Sequence, residues 1–322
     1  MGNDATTAVT TVFAFDFDGV LVDSAAETGH SGWLAAKILW PDATWMTTTT
    51  TTTTTEKDHQ KPSPPSDIIE RFRLVRPCLE TGWEASLIVR LLADPSYGRP
   101  GNDEIIQKFH GVYKERILQD SGLKPETCNQ ALKKARDDWI SQNNGQDWIQ
   151  AHDFFQGACQ AVRQLLASHG NENVFVITTK AKDFAIRLLE QQGLCDDKNG
   201  GFTDSSKLQM DHIYGLGSGP KKEVLAEILK SHHGAGSQGV VAIMVEDNLS
   251  TLRKIVAAPE LKGRVLPVLA SWGYNTEEQQ QQAVKEHFVV LDEKDSSSLS
   301  RVLDPEAVPK LVKEFDAAKN QE

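Results

Sequence analysis

The stretch FAFDFDGVLVDS, Phe13–Ser24, decides the reading of this chain. Its first half belongs to VFAFDF (Val12–Phe17), which is apolar nearly throughout. Such a run suits a parallel strand covered on both faces. Asp16 and Asp18 then stand one residue apart where that strand leaves the core. Two neighbouring carboxylates repel each other and resist burial, so the pair is either a solvated turn or a cation-holding, chemically active pair.

Outward from this point the chain changes texture twice. Between Ser24 and about Gln150 helical spacing dominates, in SGWLAAKILW, IIERFRLVRPCL, EASLIVRLLAD, EIIQKFHGVYKERIL and QALKKARDDWI. Nine threonines, Thr47–Thr55, and then EKDHQKPSPPS interrupt the region. A homopolymer followed by a Pro/Ser/Lys-rich stretch builds no core, so about residues 46–66 are expected to be a disordered insertion.

From Asp153 the pattern alternates. A helix in FFQGACQAVRQLLASHG leads to the strand NVFVITTK, and DFAIRLLEQQG follows as a helix with Gly193 as its C-cap. A short strand at His212–Tyr214 runs through GLGSGP into the helix KKEVLAEILKSHH. GVVAIMVED, LSTLRKIVAA, RVLPVLASW, EEQQQQAVKEH and FVVL continue the alternation, and VPKLVKEFDAAKNQE closes it as an amphipathic helix. The expected fold is α/β, a Rossmann-like doubly wound parallel sheet. Residues 1–24 and 152–322 form that core, with a helical domain, 25–151, inserted after the first strand.

In open parallel sheets ligands gather at the carboxyl ends of strands. Here those ends carry Asp16-Phe17-Asp18-Gly19, Thr178-Thr179-Lys180 and Glu246-Asp247-Asn248, while Lys221 opens the helix after GLGSGP. Several close carboxylates favour a divalent cation among them, and oxygen-only ligands favour Mg²⁺. A carboxylate held beside Mg²⁺ can attack phosphorus in line, and a hydroxyl and a lysine can stabilise the moving phosphoryl group. A second carboxylate two residues on points to the same side and can protonate the leaving oxygen.

DFDGVLVDS resembles the first motif of the haloacid dehalogenase (HAD) superfamily, D-x-D-G-[TV]. VFVITTK, SGPKKEVL and MVEDNLSTL are similar, in order, to its second, third and fourth motifs. FQGACQAVRQLL and ASWGY resemble segments that flank those motifs. The resemblance covers half to two thirds of the chain and is to members with a helical C1 cap, such as phosphoglycolate phosphatases and β-phosphoglucomutase-like enzymes. It implies a Mg²⁺-dependent phosphatase acting on a small phosphorylated metabolite through an aspartyl phosphate. Asp16 resembles the nucleophile and a metal ligand, and Asp18 the general acid/base with its backbone carbonyl on the metal. Thr178, Thr179 and Lys221 take the phosphate-binding role, Asp247 and Glu246 the remaining metal positions, and Asp23 and Ser24 the cap hinge. Members that attack carbon lack the second aspartate, so Asp18 argues for phosphoryl transfer. A phosphosugar mutase and a non-catalytic HAD-fold binding protein stay open as alternatives.

Two stretches depart from the family pattern. Thr251 and Leu252 stand where relatives often carry a further acid, and Lys222 stands where proline is common, leaving Lys221 and Lys222 to compete for the motif-three role, with the spacing to Leu225 favouring Lys221. Trp272 and Tyr274 read as residues packed at the sheet edge, with a rim contact to the substrate as the alternative.

The net charge of −11 over 322 residues argues against nucleic acid and anionic membranes as partners. The four cysteines show no zinc spacing and read as buried free thiols of a reducing, cytoplasmic setting. MGNDATTAV lacks a secretory pattern. It meets the loose myristoylation pattern through Gly2 and Thr6, but one acyl chain binds membranes only marginally, so no stable membrane association is expected.

Overall fold

The computed structural model describes residues 9–46, 64–195, 204–232, 239–292, 294 and 302–320. The chain divides into two units, Met1–Asp23 with Phe154–Glu322, and Ser24–Asp153. Gly2, Thr6 and the threonine run Thr47–Thr55 lie outside the described residues.

The strands are β1 (Thr10–Phe15), β2 (Val22–Asp23), β3 (Asp153–Phe154), β4 (Val174–Ile177), β5 (Ile213–Tyr214), β6 (Val240–Glu246), β7 (Val265–Ala270) and β8 (Val289–Leu291). Six of them form one sheet in the order β5-β4-β1-β6-β7-β8, and β2 with β3 forms a separate ladder. Every pairing in the large sheet is parallel, with Ala14 of β1 opposite Phe175 of β4 and Met244 of β6. The α/β expectation thus holds. β1 is covered on both faces, since Val12 and Ala14 are as fully buried as Phe13 and Phe15 on the other side. Each such buried aliphatic or aromatic side chain contributes roughly 1.5–3 kcal/mol by leaving water. From β1 the chain moves outward through β4 and β5, then β6 returns to the other flank of β1. The strand order therefore reverses between β1 and β6, and a ligand is expected at the carboxyl ends of those two strands.

The second unit is helical: α1 (Ala25–Leu39), α2 (Ser66–Val75), α3 (Ala85–Ala93), α4 (Asn102–Lys108), α5 (Lys114–Ser121), α6 (Pro125–Ile140) and α7 (Gln146–Gln150). Its core gathers Trp33, Phe72, Leu87, Ile88, Leu91, Ile105, Phe109 and Ile117. EIIQKFHGVYKERIL is not one regular helix, because Phe109–Tyr113 winds as a π turn between α4 and α5. That wider turn keeps both Phe109 and Tyr113 buried. Met46 ends a short 3₁₀ turn and Ser66 already starts α2, so ordered chain reaches both edges of the expected insertion.

This unit also buries a charge. The Glu27 carboxylate is fully buried on α1 and takes both arms of Arg136 from α6, at 2.8 and 2.9 Å. Ser31 Oγ donates to it at 2.7 Å and Trp148 Nε1 at 3.1 Å. The network satisfies the carboxylate, as burial of an ion requires.

The sheet unit adds α8 (Gln156–His169), α9 (Lys182–Gln191), α10 (Lys221–Ser231), α11 (Leu249–Val256), α12 (Glu277–Lys285) and α13 (Val308–Lys319). The helix expected from FFQ starts only at Gln156, because Phe154 belongs to β3 and the Phe155 amide donates to Leu21 O at 3.1 Å. α9 ends at a left-handed glycine, Gly193 with φ of 64°, one position beyond its cap residue Gln192. All four cysteines are buried and unbridged. No helix among the described residues is long and apolar enough to cross a membrane.

Candidate functional site

Asp16 follows β1 directly, and its amide donates to Val245 O of β6 at 2.8 Å, across the point where strand order reverses. Glu246 ends β6, and Asp247 follows it. The three carboxylates offer oxygens that all lie within 4.8 Å of one another, and all three side chains are buried. Between two of them sits Lys221, the first residue of α10: its Nζ lies 2.8 Å from Asp16 Oδ2 and 2.6 Å from Glu246 Oε2. Lys221 rather than Lys222 therefore reaches the cluster.

Backbone donors fix the carboxylates. The Phe17 amide donates to Asp16 Oδ1 at 2.7 Å, the Asn248 amide to Glu246 Oε1 at 3.2 Å, and the Tyr274 amide to Asp247 Oδ2 at 2.8 Å. Gly19, with φ of 84°, turns the chain beneath them, and a Cβ there would lie 2.0 Å from Asp247 Oδ2. Only glycine combines that backbone conformation with that approach. The Gly19 amide closes the turn on Val22 O at 2.8 Å.

The electrostatics are strained without a cation. Burial, reinforced by the neighbouring Glu246, pushes Asp16 up to about 8 despite the opposing pull of Lys221. Burial and then Asp247 raise Glu246 as well, again against Lys221. Burial alone would lower Lys221, but Asp16 and Glu246 outweigh it and hold the ammonium firmly protonated.

Of the other expected residues, Asp18, Thr178, Thr179 and Asp23 belong to the sheet unit. Asp18 Oδ1 lies 3.0 Å from Lys180 Nζ, a lysine whose side chain is only 7% exposed. Thr178 is buried past the end of β4, and its Oγ1 accepts the Lys180 amide at 3.0 Å, leaving its hydroxyl proton to point elsewhere. Thr179 is exposed. Asp23 accepts from the Tyr274 hydroxyl at 2.9 Å and closes the first segment of the sheet unit. Ser24 opens the helical unit, where its carbonyl accepts the Thr28 amide at 2.8 Å.

Two contributors were missed at the sequence level. Lys180 closes VFVITTK, two residues past Thr178, and that spacing was an available signal. The loop after β7 does more than pack at the sheet edge. Trp272 Nε1 donates to Val20 O at 3.1 Å, and the Tyr274 amide holds Asp247. Its placement past a strand's carboxyl end was the signal.

The donor set fits a divalent cation. Asp16, Glu246 and Asp247 set three formal negative charges against the one ammonium group of Lys221, leaving two to be balanced. All carboxylate and carbonyl donors are hard oxygens, which suits Mg²⁺. A second acidic group, Glu80, Glu84 and His110 in the helical unit, has a structural explanation. Glu84 Oε2 accepts the amides of Glu80 and Thr81, Glu84 Oε1 takes Lys114 Nζ at 2.7 Å, and His110 Nε2 is 2.7 Å from Cys78 O.

No protein-family model and no curated protein matches the chain. Among solved structures it is similar to a predicted phosphoglycolate phosphatase from Haemophilus somnus, with a TM-score of 0.48 and 12% identity over 90% of this chain and 98% of that one. It is similar to a predicted phosphatase from Clostridium acetobutylicum, at 0.47 and 14% over 92% and 99%. A haloacid dehalogenase-like family hydrolase from Xanthomonas campestris aligns at 0.40 and 13% over 98% and 100%. Likeness at this level leaves the chemistry to the residues themselves.

Proposed function

We propose that the chain is a divalent-cation-dependent phosphatase of the HAD superfamily, acting on a small phosphorylated metabolite through an aspartyl phosphate on Asp16. The observation that carries this reading is the buried trio Asp16, Glu246 and Asp247, drawn within 4.8 Å with Lys221 bridging Asp16 and Glu246. A scaffold gains nothing from burying three carboxylates on one rim, since each costs desolvation. Asp16, Asp247, Glu246 and the backbone carbonyl of Asp18 would hold the ion. When bound, Mg²⁺ supplies positive charge that ionises the Asp16 carboxylate and draws phosphate oxygens to the site.

Asp16 attacks phosphorus with a carboxylate oxygen whose orientation the Phe17 amide fixes at 2.7 Å. The new bond runs from that oxygen to phosphorus, and the bond from phosphorus to the ester oxygen breaks. Asp18 enters the cycle protonated, gives that proton to the departing alcohol, and regains one from the water that attacks the aspartyl phosphate, which restores its starting state. The second displacement frees the Asp16 carboxylate and inorganic phosphate. Thr178, through its hydroxyl, and Lys221, through its ammonium, meet the charge that spreads over the equatorial oxygens. Lys180, 3.0 Å from Asp18, keeps that carboxylate over the site between the two transfers.

The test is hydrolysis of p-nitrophenyl phosphate and a panel of phosphate esters. Activity is expected with Mg²⁺, lost to chelation, and reduced to background in Asp16→Asn. Turnover by Asp16→Asn, or turnover that survives exhaustive chelation, would refute the mechanism.

A further inference from the structure

The loop after β7 is tied down more heavily than a sheet-edge connection requires. Within four residues, Trp272 donates to Val20 O at 3.1 Å and the Tyr274 amide donates to Asp247 Oδ2 at 2.8 Å. Asn275 Nδ2 donates to Asp247 O at 3.0 Å and to Ala270 O at 2.8 Å. Gly273 lies so close that a Cβ there would be 2.3 Å from Asp247 Cβ and 2.4 Å from Gly19 O. The loop therefore has no slack to absorb a shift of Asp247.

Tyr274 passes such a shift on. Its amide holds Asp247, and its hydroxyl donates to Asp23 Oδ1 at 2.9 Å. Asp23 is the last residue of the sheet unit before the chain enters the helical unit. One residue thus touches the acidic trio with its main chain and the exit of the unit with its side chain. We propose that Tyr274 is a positioning residue that couples cation occupancy at Asp247 to the order of the exit segment Val22–Asp23. The proposal rests on the divalent-cation reading of the trio.

The physical path is short. Asp247 and Glu246 repel each other, and the amide bond to Tyr274 holds Asp247 against that repulsion. A cation held by the two would relieve it. The Tyr274 backbone is then held firmly, and with it the ring that donates to Asp23. Linkage makes the effect reciprocal: cutting the Tyr274–Asp23 bond must weaken cation binding by the same factor by which the cation stabilises that bond.

The experiment measures Mg²⁺ affinity by titration calorimetry and amide hydrogen exchange over residues 20–25, in the full chain and in Tyr274→Phe. In the unsubstituted protein Mg²⁺ should slow exchange at Val22–Asp23. Tyr274→Phe keeps the amide and the ring but loses the hydroxyl. It should abolish that slowing and raise the Mg²⁺ dissociation constant about fivefold, the lower end of common coupling strengths. Asp23→Ala cuts the same bond from its other end and carries both expectations should Tyr274→Phe not fold. The double variant should be no worse than either single, which a merely structural role would not produce. Unchanged affinity and unchanged Mg²⁺-dependent slowing in Tyr274→Phe would overturn the coupling while leaving the cation site intact. An unsubstituted protein that binds no Mg²⁺ would overturn both.

Discussion

Replacing Gly19 with alanine puts a single methyl group against the acidic trio. The backbone there has φ of 84°, and the new Cβ would lie 2.0 Å from Asp247 Oδ2 and 2.5 Å from Asp247 Cγ. Ordinary contact begins near 3.4 Å, so the carboxylate must retreat by about 1.4 Å. The Tyr274 ring, 3.0 Å from the same Cβ, crowds the retreat. The left-handed backbone costs a non-glycine residue about 1–2 kcal/mol, which a folded protein survives. The chemistry should not survive as well, because misplacing a catalytic group by an ångström costs on the order of 10²-fold, about 2.7 kcal/mol of barrier. Gly193→Ala is the control: φ there is 64° and nothing lies within 4 Å of the new Cβ, so it carries the backbone strain without the clash. Urea unfolding should show both variants still folded, with Gly19→Ala the less stable of the two because it adds the clash to the backbone strain. In steady-state phosphatase assays in Mg²⁺, only Gly19→Ala should lose about two orders of magnitude in kcat/KM and bind Mg²⁺ more weakly. A Gly19→Ala enzyme within about threefold of the parent would refute the claim that Asp247 must sit against this turn.

Two further outcomes follow from the charges. Asp16 stands at about 8 in the folded, cation-free protein against 3.8 as an ordinary carboxylate, so the folded state holds the extra proton between those values. Its stability contribution is present at low pH and lost as pH rises toward 8: relative to Asp16→Asn, the melting temperature of chelated protein should fall across that window, and Mg²⁺ should flatten the fall. A chelated protein that gains stability relative to Asp16→Asn over the same range would contradict the burial of Asp16. In the helical unit, Arg136→Met leaves the fully buried Glu27 without its bidentate partner, and breaking a buried pair from one side costs about 3–5 kcal/mol. Urea unfolding that moves by less than about 1 kcal/mol would mean the pair is not buried in solution.

The sheet was legible because its signal is redundant. VFAFDF, NVFVITTK and GVVAIMVED are apolar on both faces, and each is followed by helical spacing, so both patterns point to one parallel fold. The strand ends then placed Asp16, Thr178, Glu246 and Asp247 on one rim without any coordinates. The departures came from contacts that leave no periodic trace. The π turn at Phe109–Tyr113 keeps an ordinary helical composition while shifting the hydrogen-bond register. Whether Lys221 or Lys222 faces the trio depends on where α10 begins, and adjacent helical residues differ by about 100° in direction. Tyr274 was illegible as a positioning residue because its decisive contact uses the backbone amide, which every residue but proline possesses.

Positions 251 and 252 are closed to an acid, and the site takes its carboxylates from elsewhere. α11 starts at Leu249, with Asn248 Oδ1 accepting the Thr251 amide at 3.0 Å, so that turn is committed to capping. Leu252 points into the sheet unit's core and is fully buried. A carboxylate there would face apolar neighbours and no cation. The acids must therefore come from the strand end itself, as the consecutive pair Glu246 and Asp247. Asp247 lies on the bend just past the end of β6, and both acids offer oxygens within 4.8 Å of Asp16. Glu246 and Asp16 are thereby buried together, and Lys221, 2.6 Å from one and 2.8 Å from the other, makes that tolerable. Lys221 thus has a task in the free protein that precedes any contact with phosphate: it lets β6 deliver both of its terminal acids to the rim where β1 delivers Asp16.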